Sequence, residues 1–390
     1  MVVIMLGNFI YHNPTKLLFG KSSIDMMKDE LNKYGDNVLL IYGKGSIKNN
    51  GIYDKVINIL KNCNKNVIEL SGVMPNPTVK KLDEGRKVAK ENDIDFILAV
   101  GGGSVIDYAK GVSATTHFDG NAWEHFYINM NDPKNKVIPM GCILTMVGTG
   151  SEMNGGSVIT DEESGLKIGK VFGAELFPKF AVLDPTYTFT TSKYQMTAGI
   201  FDIMSHIMEQ YFSGDDDNVS DYIAEALMKS IIRNSRIAYE DPSNYEARSN
   251  IMWASTWALN TLIGMGKEQD WMVHMIGQAI GGVTDATHGM TLASVSLPYY
   301  RMVMEDAPEK FKKFAVNVFG VADNNKSDME IAKEGLEKLE EWMKELNLVL
   351  DPREIGVNNK NIEKILDGVF ILDGGYKKLT REEIKTIILL

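Results

Sequence analysis

Read by its hydrophobic and polar positions, the chain changes pattern once. Up to about residue 190, short unbroken apolar runs alternate with segments of helical period. VLLIYGKGS (38–46) is an apolar run ending in a glycine loop. NVIEL (66–70) and DFILAVGGGS (95–104) repeat that shape, and TVKKLDEGRKVAKEN (78–92) between them has the helical period. KFAVLDPTYTFT (179–190) reads as a further strand closed by Asp184-Pro185. Strands covered on both faces need no alternation, and strand–helix alternation at this spacing predicts a parallel sheet. After about residue 191 the pattern is amphipathic-helical over 193–213, 219–239, 245–264 and 329–346, and strand signals nearly vanish. The expected fold class is α/β plus all-α: a Rossmann-like parallel-sheet domain over residues 1–190 and a helical domain over 191–390.

Smaller features refine this picture. FIYHNPTKLLFG (9–20) predicts β-rich strands around a turn at Pro14, with an edge open for pairing. Asp215-Asp216-Asp217 is expected to be a solvated loop after a helix that stops at Gly214. A length of 390 residues is too long for one ordinary core, which agrees with two domains. A net charge of -11 argues against nucleic acid or an anionic membrane as partner. Cys63 and Cys142 are too few for a disulfide framework or a thiolate metal cage. The opening MVVIMLGNFI has no basic residue before it and no small-residue cleavage site after it, so it is not read as a secretory signal. No run reaches about 18 apolar residues, so no membrane span is expected. A cytoplasmic protein with a small-molecule partner is the expectation.

AVGGGSVIDYAK (99–110) joins a strand to a helix. Gly101, Gly102 and Gly103 let backbone approach a ligand, and the bare N–H groups of Gly103, Ser104 and their neighbours attract phosphate. The G-x-G-x-x-G fingerprint is absent, because Ile106 stands at the third glycine's place. A plain strand-to-helix turn accounts for the same glycines. Two other loops change the weighing: GKGS (43–46) after the first run and PNP (75–77) after the second. In a parallel sheet all three open on one edge, long enough for an extended dinucleotide. The GKGS loop offers Gly43, Lys44, Gly45 and Ser46 and no carboxylate, which suits a 2′-phosphate and favours NADP(H) over NAD(H).

The second half holds three of the six histidines. In TSKYQMTAGIFDIMSHIMEQYFSG (191–214), Asp202 and His206 stand four apart, opposite a broad apolar arc, with the small Ala198 and Gly199 nearby. His274 lies in WMVHMIGQAI, which Gly281-Gly282 is expected to break, and His288 opens THGMTLASVSL. None reads as a core residue. A solvated polar face leaves the same trace. One carboxylate and three imidazoles can nevertheless hold a divalent metal, with about one net positive charge left for Lewis-acid chemistry.

FGK (19–21), YGKGSIKNNGIYD (42–54), SGVMPNP (71–77), VGGGSVIDYAK (100–110), LTMVGTGSEMN (144–154), LDPTYTFT (183–190), DIMSH (202–206) and the pair His274 and His288 span essentially the whole chain. Together they resemble the iron-containing (group III) alcohol dehydrogenases, especially the butanol dehydrogenase branch. The resemblance implies a dehydroquinate-synthase-like fold and reversible oxidation of a primary alcohol such as butanol by hydride transfer to a nicotinamide. It implies metal ligands Asp202, His206, His274 and His288, holding Fe²⁺, with Zn²⁺ possible. Gly101, Gly102, Gly103, Ser104 and Asp107 would hold the pyrophosphate, and the GKGS loop the adenosine ribose. Asn76 would contact the nucleotide, Thr145 and Thr149 the nicotinamide side, and Lys167 the nicotinamide ribose. The branch with GGGS in place of an acidic residue uses NADP(H), and Lys44 departs from that pattern. Family dimers pair N-terminal strands, so a homodimer is implied. Many relatives carry a second histidine four residues after the first ligand of the pair; here Gln278 stands there and cannot shuttle a proton near neutral pH. Two rival readings share the pattern: a metal-dependent lyase or synthase on the same fold, and a nucleotide-binding homologue without catalysis. Met153, Trp253 and Trp271 are the residues considered for shaping a substrate pocket.

Overall fold

The strands form where apolar runs can be buried on both faces. In the computed structural model, which describes residues 6–214 and 217–389, they are β1 (Lys16–Phe19), β2 (Asn37–Tyr42), β3 (Asn66–Leu70), β4 (Phe96–Gly101), β5 (Met140–Leu144), β6 (Gly156–Thr160), β7 (Lys167–Val171) and β8 (Phe180–Leu183). Six make one parallel sheet in the order β1-β8-β5-β4-β2-β3, and β6 and β7 form a separate antiparallel pair. The central strands have no solvated face: Val38 to Ile41 and Phe96 to Val100 are fully enclosed. The Val79–Glu91 helix returns the chain between β3 and β4, its first turn capped by Thr78, which accepts from Lys81 N at 3.2 Å. β5, β6 and β7 were not among the expected strands. MGCIL carries only one β-branched residue, and β6 and β7 are short strands that pair with each other, with Thr160 also bridging Thr78.

Parallel pairing in register brings the ends of β2, β4 and β5 level. Tyr42 faces Val100, and Gly101 faces Leu144. The loops 43–46, 102–104 and 145–150 therefore leave one edge of the sheet side by side. Two of them interlock: a Cβ on Gly103 would stand 2.3 Å from Thr149 Oγ1 and 2.4 Å from Thr149 Cγ2. Glycine is required there by packing.

The N-terminal expectation holds only in part. Lys16–Phe19 is a strand, paired in parallel with β8 at the sheet edge, but residues 6–15 form no strand. Pro14 lacks an N–H for a ladder, and Asn13 Nδ2 donates instead to Met153 O at 2.8 Å. The chain divides into two compact units, His12–Thr191 and Ser192–Leu390, and residues 6–11 group with the second, where Gly7 N donates to Gly266 O at 3.0 Å. Asp215 and Asp216 lie outside the described residues; Asp217 pairs with Lys313 at 3.0 Å, after Gly214 in the left-handed region.

The second unit is helical throughout. Its principal helices are Lys193–Tyr211, Val219–Glu240, Tyr245–Ala258, Met272–Thr284, His288–Val303, Pro308–Phe319 and Asp328–Glu345. Ser192 caps the first, accepting from Gln195 N, and Ser327 with Glu330 makes a capping box on the last. The segment expected over 245–264 ends sooner, at Ala258, followed by a single turn at Leu262–Gly264. Gly281-Gly282 does not break its helix, which continues to Thr284 and closes on Asp285 at φ 55°. Two glycines cost about 1 kcal/mol each against alanine. Val273, Ile276 and Ile280 are fully enclosed, and their burial outweighs that cost. No helix among the described residues is long and apolar enough to cross a membrane.

The small residues of the Lys193–Tyr211 helix have a partner. A Cβ on Gly289 would lie 1.9 Å from Ala198 O and 2.9 Å from Ala198 Cα. The His288–Val303 helix thus starts with main chain touching main chain, one residue after His288. Gly289→Ala should push that end away, lowering stability by about 1–3 kcal/mol and weakening metal retention; thermal unfolding and metal content measured on the same preparation would check both.

Candidate metal centre and nucleotide loops

From Met196 to Tyr211 every residue of the Lys193–Tyr211 helix is buried. Asp202 and His206 are therefore enclosed, with side chains 6% and 5% exposed, and so is His274, at 7%. This corrects the expectation of helix-surface histidines. The helix that looked amphipathic has neighbours on all sides, because the following helices pack over its narrow polar stripe too. His288 alone keeps solvent access, at 25%.

The four residues converge. Asp202 Oδ1 lies 3.6 Å from His206 Nε2, 3.6 Å from His274 Nε2 and 3.7 Å from His288 Nε2. Asp202 and His206 share a helix face four residues apart, His274 is the third residue of the Met272–Thr284 helix, and His288 is the first residue of the next. The His206 and His274 rings stack at 4.6 Å, and the His274 and His288 rings meet edge-on at 5.3 Å. Asp202 Oδ1 and His274 Nε2 are buried and have no hydrogen-bond partner. Two such atoms facing each other are costly unless a cation lies between them. One carboxylate oxygen and imidazole nitrogens within 4.8 Å of one another fit a divalent transition metal.

The electrostatics agree. Burial pushes the Asp202 carboxyl up, but His206, then His274 and His288, outweigh it and hold it below the usual carboxylate range. Burial pushes His274 down, and the adjacent Glu209 carboxylate reverses this and carries it up to about 9. Glu209 escaped the sequence reading. It is fully buried, accepts from His274 N at 3.0 Å and from Ser205 Oγ at 2.7 Å, and its carboxylate also meets His274 Nδ1. The available signal was spacing: Asp202, His206 and Glu209 fall at i, i+4 and i+7, a polar stripe on an otherwise apolar helix. With Glu209 present, the expected single net positive charge of the loaded site becomes a balanced count.

Trp271 is the one considered pocket residue that the fold brings to this cluster. It stands in the left-handed region at φ 65°, its ring edge-on to His274 at 5.3 Å and to His206 at 6.1 Å, and Nε1 donates to Gln269 Oε1 at 2.9 Å. An aromatic side chain held at positive φ is unusual and needs surroundings that enforce it. Trp253 instead packs edge-on against Trp257 at the surface, and Met153 is buried in the first unit. Gln278 is half-buried, one turn beyond His274.

In the first unit the loop residues sit as follows. Lys44 and Ser46 are exposed, Gly45 is at φ 148°, and Ser46 opens the short Ser46–Asn49 turn of helix. Glu69 on the neighbouring strand is engaged, accepting from Tyr42 Oη at 2.6 Å and Tyr53 Oη at 2.7 Å, while the Lys48 ammonium lies 4.5 Å from the Tyr53 ring. Ser104 and Thr149 are half-buried, and Thr145 N donates to Gly101 O at 2.9 Å. Asn76, at φ 56°, accepts from Lys167 Nζ at 2.8 Å. Asp107 faces inward: Ser151 Oγ donates to one oxygen, and Val158 N to the other at 3.1 Å. It therefore shapes the loop from beneath rather than offering a carboxylate to a phosphate, which it would repel. Lys110 is fully buried beside it, donating to Ser151 Oγ at 2.8 Å, Asn154 Oδ1 at 3.0 Å and Gly156 O at 2.9 Å.

Behind Glu209 lies a second enclosed acid. Asp270 accepts from Met272 N at 3.2 Å and from the Tyr299 hydroxyl. Burial pushes its carboxyl up to about 7, helped by the Glu209 charge and opposed by those two donors. An unfolded Asp titrates near about 3.9. Between those values the unfolded chain has lost a proton that the folded chain keeps, so stability falls as pH rises and levels off above about 7. Asp270→Asn lacks this term. From pH 5.5 to 7, the wild type should lose stability relative to Asp270→Asn by up to about 1.4 kcal/mol per pH unit, read from denaturant unfolding at matched metal content.

Comparison with known proteins agrees with this architecture. Residues 14–185 match the family described as iron-containing alcohol dehydrogenase, and residues 196–389 match its C-terminal domain. The chain is 42% identical over 360 residues to NADH-dependent butanol dehydrogenase A of Clostridium acetobutylicum, covering 91% of each chain. It is 34% identical to the NADPH-dependent aldehyde reductase YqhD of Escherichia coli, over 93% of this chain and 92% of that one. The crystal structure of NADH-dependent butanol dehydrogenase A from Thermotoga maritima superposes with a TM-score of 0.93 at 35% identity, covering 98% of both chains. With a parallel nucleotide-type sheet, a helical unit that gathers one carboxylate and three imidazoles, and relatives of this kind over nearly its full length, the chain belongs to the iron-containing alcohol dehydrogenase family.

Proposed function

We propose that this enzyme interconverts primary alcohols such as butanol and their aldehydes, with NADP(H) preferred over NAD(H), at a metal held by Asp202, His206, His274 and His288. The observation that carries the reading is the convergence of these four side chains around Asp202 Oδ1, with His274 Nε2 buried and unpartnered opposite it. A bound Fe²⁺, or Zn²⁺ in the same ligand set, supplies positive charge that polarises the substrate oxygen, and the nicotinamide supplies the hydride chemistry.

The chain's own residues supply placement. The Asp202 carboxylate and the three imidazoles come from three helices, two of which meet in backbone contact at Gly289 and Ala198. Trp271 sets a rigid apolar ring beside two ligands, which suits a short hydrocarbon chain and excludes water. Gln278 can orient a substrate or water by hydrogen bonding, but it holds no proton that titrates near neutral pH, so proton exchange runs by another path. A lyase on a phosphorylated acid would call for basic side chains around His274, and the residues that contact this histidine are Asp202, His206, Glu209, Trp271 and His288.

The cofactor preference rests on the GKGS loop. Lys44 and Ser46 are exposed there, and the nearest acid of the neighbouring strand, Glu69, is occupied by two tyrosine hydroxyls. The loop thus offers a cation and a hydroxyl to a 2′-phosphate and no carboxylate to a 2′-hydroxyl. Similar enzymes are named for either cofactor, and the loop chemistry of this chain is what supports the NADP(H) reading. Gly101 to Ser104 present the N–H groups for the pyrophosphate, and Asn76, Thr145, Thr149 and Lys167 face the remainder of the nucleotide.

A homodimer completes the proposal. Leu6, Phe9, Ile10 and Tyr11 expose apolar side chains on a segment without regular structure, Ile10 at 91%. A second copy would cover them. At micromolar concentration, light scattering should give twice the chain mass; the mass of one chain would refute the assembly.

The activity itself is read by adding a straight-chain aldehyde to the iron-loaded enzyme and following nicotinamide absorbance. NADPH should be consumed with a higher kcat/KM than NADH, and chelation should abolish the reaction. Ser46→Asp should lower the NADPH-to-NADH ratio at least about tenfold, the equivalent of about 1.4 kcal/mol, by like-charge repulsion of the 2′-phosphate. Equal efficiency with both cofactors in the unmutated enzyme would remove the NADP(H) assignment.

A further inference from the structure

The metal reading assigns four side chains and leaves one strongly engaged buried acid without a role. Glu209 lies on the same helix as Asp202 and His206, seven and three residues on, yet most of its bonds go to the segment that carries His274. Its carboxylate accepts from His274 N at 3.0 Å and meets His274 Nδ1, its backbone carbonyl accepts from Asp270 N at 3.1 Å, and Ser205 Oγ donates to it at 2.7 Å. One residue thereby ties the two ligand-bearing helices together from main chain to side chain. We propose that Glu209 is the positioning residue of the metal centre, fixing the His274 ring with its proton on Nδ1 and its lone pair on Nε2, and supplying the second negative charge that matches the site to a dication. The proposal rests on the metal reading above.

Two physical points support it. An imidazole has two tautomers, and only one presents Nε2 to a metal; an acceptor fixed on the Nδ1 side selects it and raises the basicity of Nε2. In this fold the selected Nε2 faces Asp202 Oδ1 at 3.6 Å. The second point is charge. Asp202 and Glu209 are both enclosed, and among the described residues their ion-pair partners are histidines alone, with no Lys or Arg. Two buried anions and three neutral imidazoles leave a deficit of two positive charges, which one divalent ion fills. A trivalent ion would leave one charge over in a low-dielectric site.

The test uses the full-length enzyme and Zn²⁺ or Co²⁺ as the probe. Affinity is measured by chelator competition, and Co²⁺ absorption reports ligand geometry. Glu209→Gln keeps size and one acceptor oxygen but removes the charge. It should raise the metal Kd by about 10–100-fold and shift the Co²⁺ spectrum. Glu209→Asp restores the charge at shorter reach and should recover part of the affinity. Unchanged Kd and an unchanged Co²⁺ spectrum in Glu209→Gln, with the wild type binding tightly, would overturn the role of Glu209 and leave the metal site standing. Equal losses in Glu209→Gln and Glu209→Asp would also overturn it, because they would show that packing rather than charge matters. Failure of the wild type to bind either metal would instead overturn the metal reading itself.

Discussion

Asp202 sits midway along a helix enclosed on every side, and placing an ionised carboxylate there costs several kcal/mol unless opposite charge or donors meet it. Much of the helical unit follows from that one cost. Three histidines from three helices face the same oxygen, a second carboxylate fixes one of them, and two helix ends approach until backbone touches backbone at Gly289 and Ala198. A core of this size could have been made from leucine and isoleucine. Its polar centre instead commits several helices to one arrangement, with a close backbone approach one residue after His288. Burial and side-chain geometry are thus a single constraint viewed from two sides, because Asp202, His206 and His274 are all enclosed.

Strand positions were legible where parallel strands are continuous apolar runs of β-formers, which left β5 and the β6–β7 pair unread. NVIEL is strand from its first residue to its last, and the runs after Asn37 and at Phe96 needed only their ends trimmed. The helical half was legible by period, and the four converging side chains by resemblance. What stayed hidden was non-local. Glu209 looks like any acid on a helix until the Met272–Thr284 helix is laid against it. The enclosure of His206 and His274 could not be read from one helix, since amphipathicity says which face is apolar and not whether the other face is covered as well. Gly281-Gly282 misled for the opposite reason: local propensity pointed to a break, and the burial of Val273, Ile276 and Ile280 overrode it. The N-terminal segment promised a hairpin on composition alone, and Pro14 with the side chain of Asn13 removed half of it.

The first unit solves a different electrostatic problem. The loops 43–46 and 102–104 and the 145–150 segment carry Lys44 and hydroxyls, and the acids nearest them are engaged within the protein. Glu69 is held by two tyrosines, and Asp107 is turned inward beside Lys110. Burial pushes Lys110 down to about 8 even with Asp107 at its side. The pair joins the Gly103–Thr115 helix to residues 151–158, so the charge that shapes these loops is internal.

The contact of Gly103 with Thr149 has a thermodynamic consequence. Two loops that interlock at van der Waals distance share one conformational equilibrium, since neither can shift without dislodging the other. On the proposed cofactor reading, the phosphate end and the nicotinamide end of a dinucleotide would meet a single ordered surface. The entropy of ordering that surface is spent once, on folding, and whichever end of such a cofactor arrived first would find the place for the other already set.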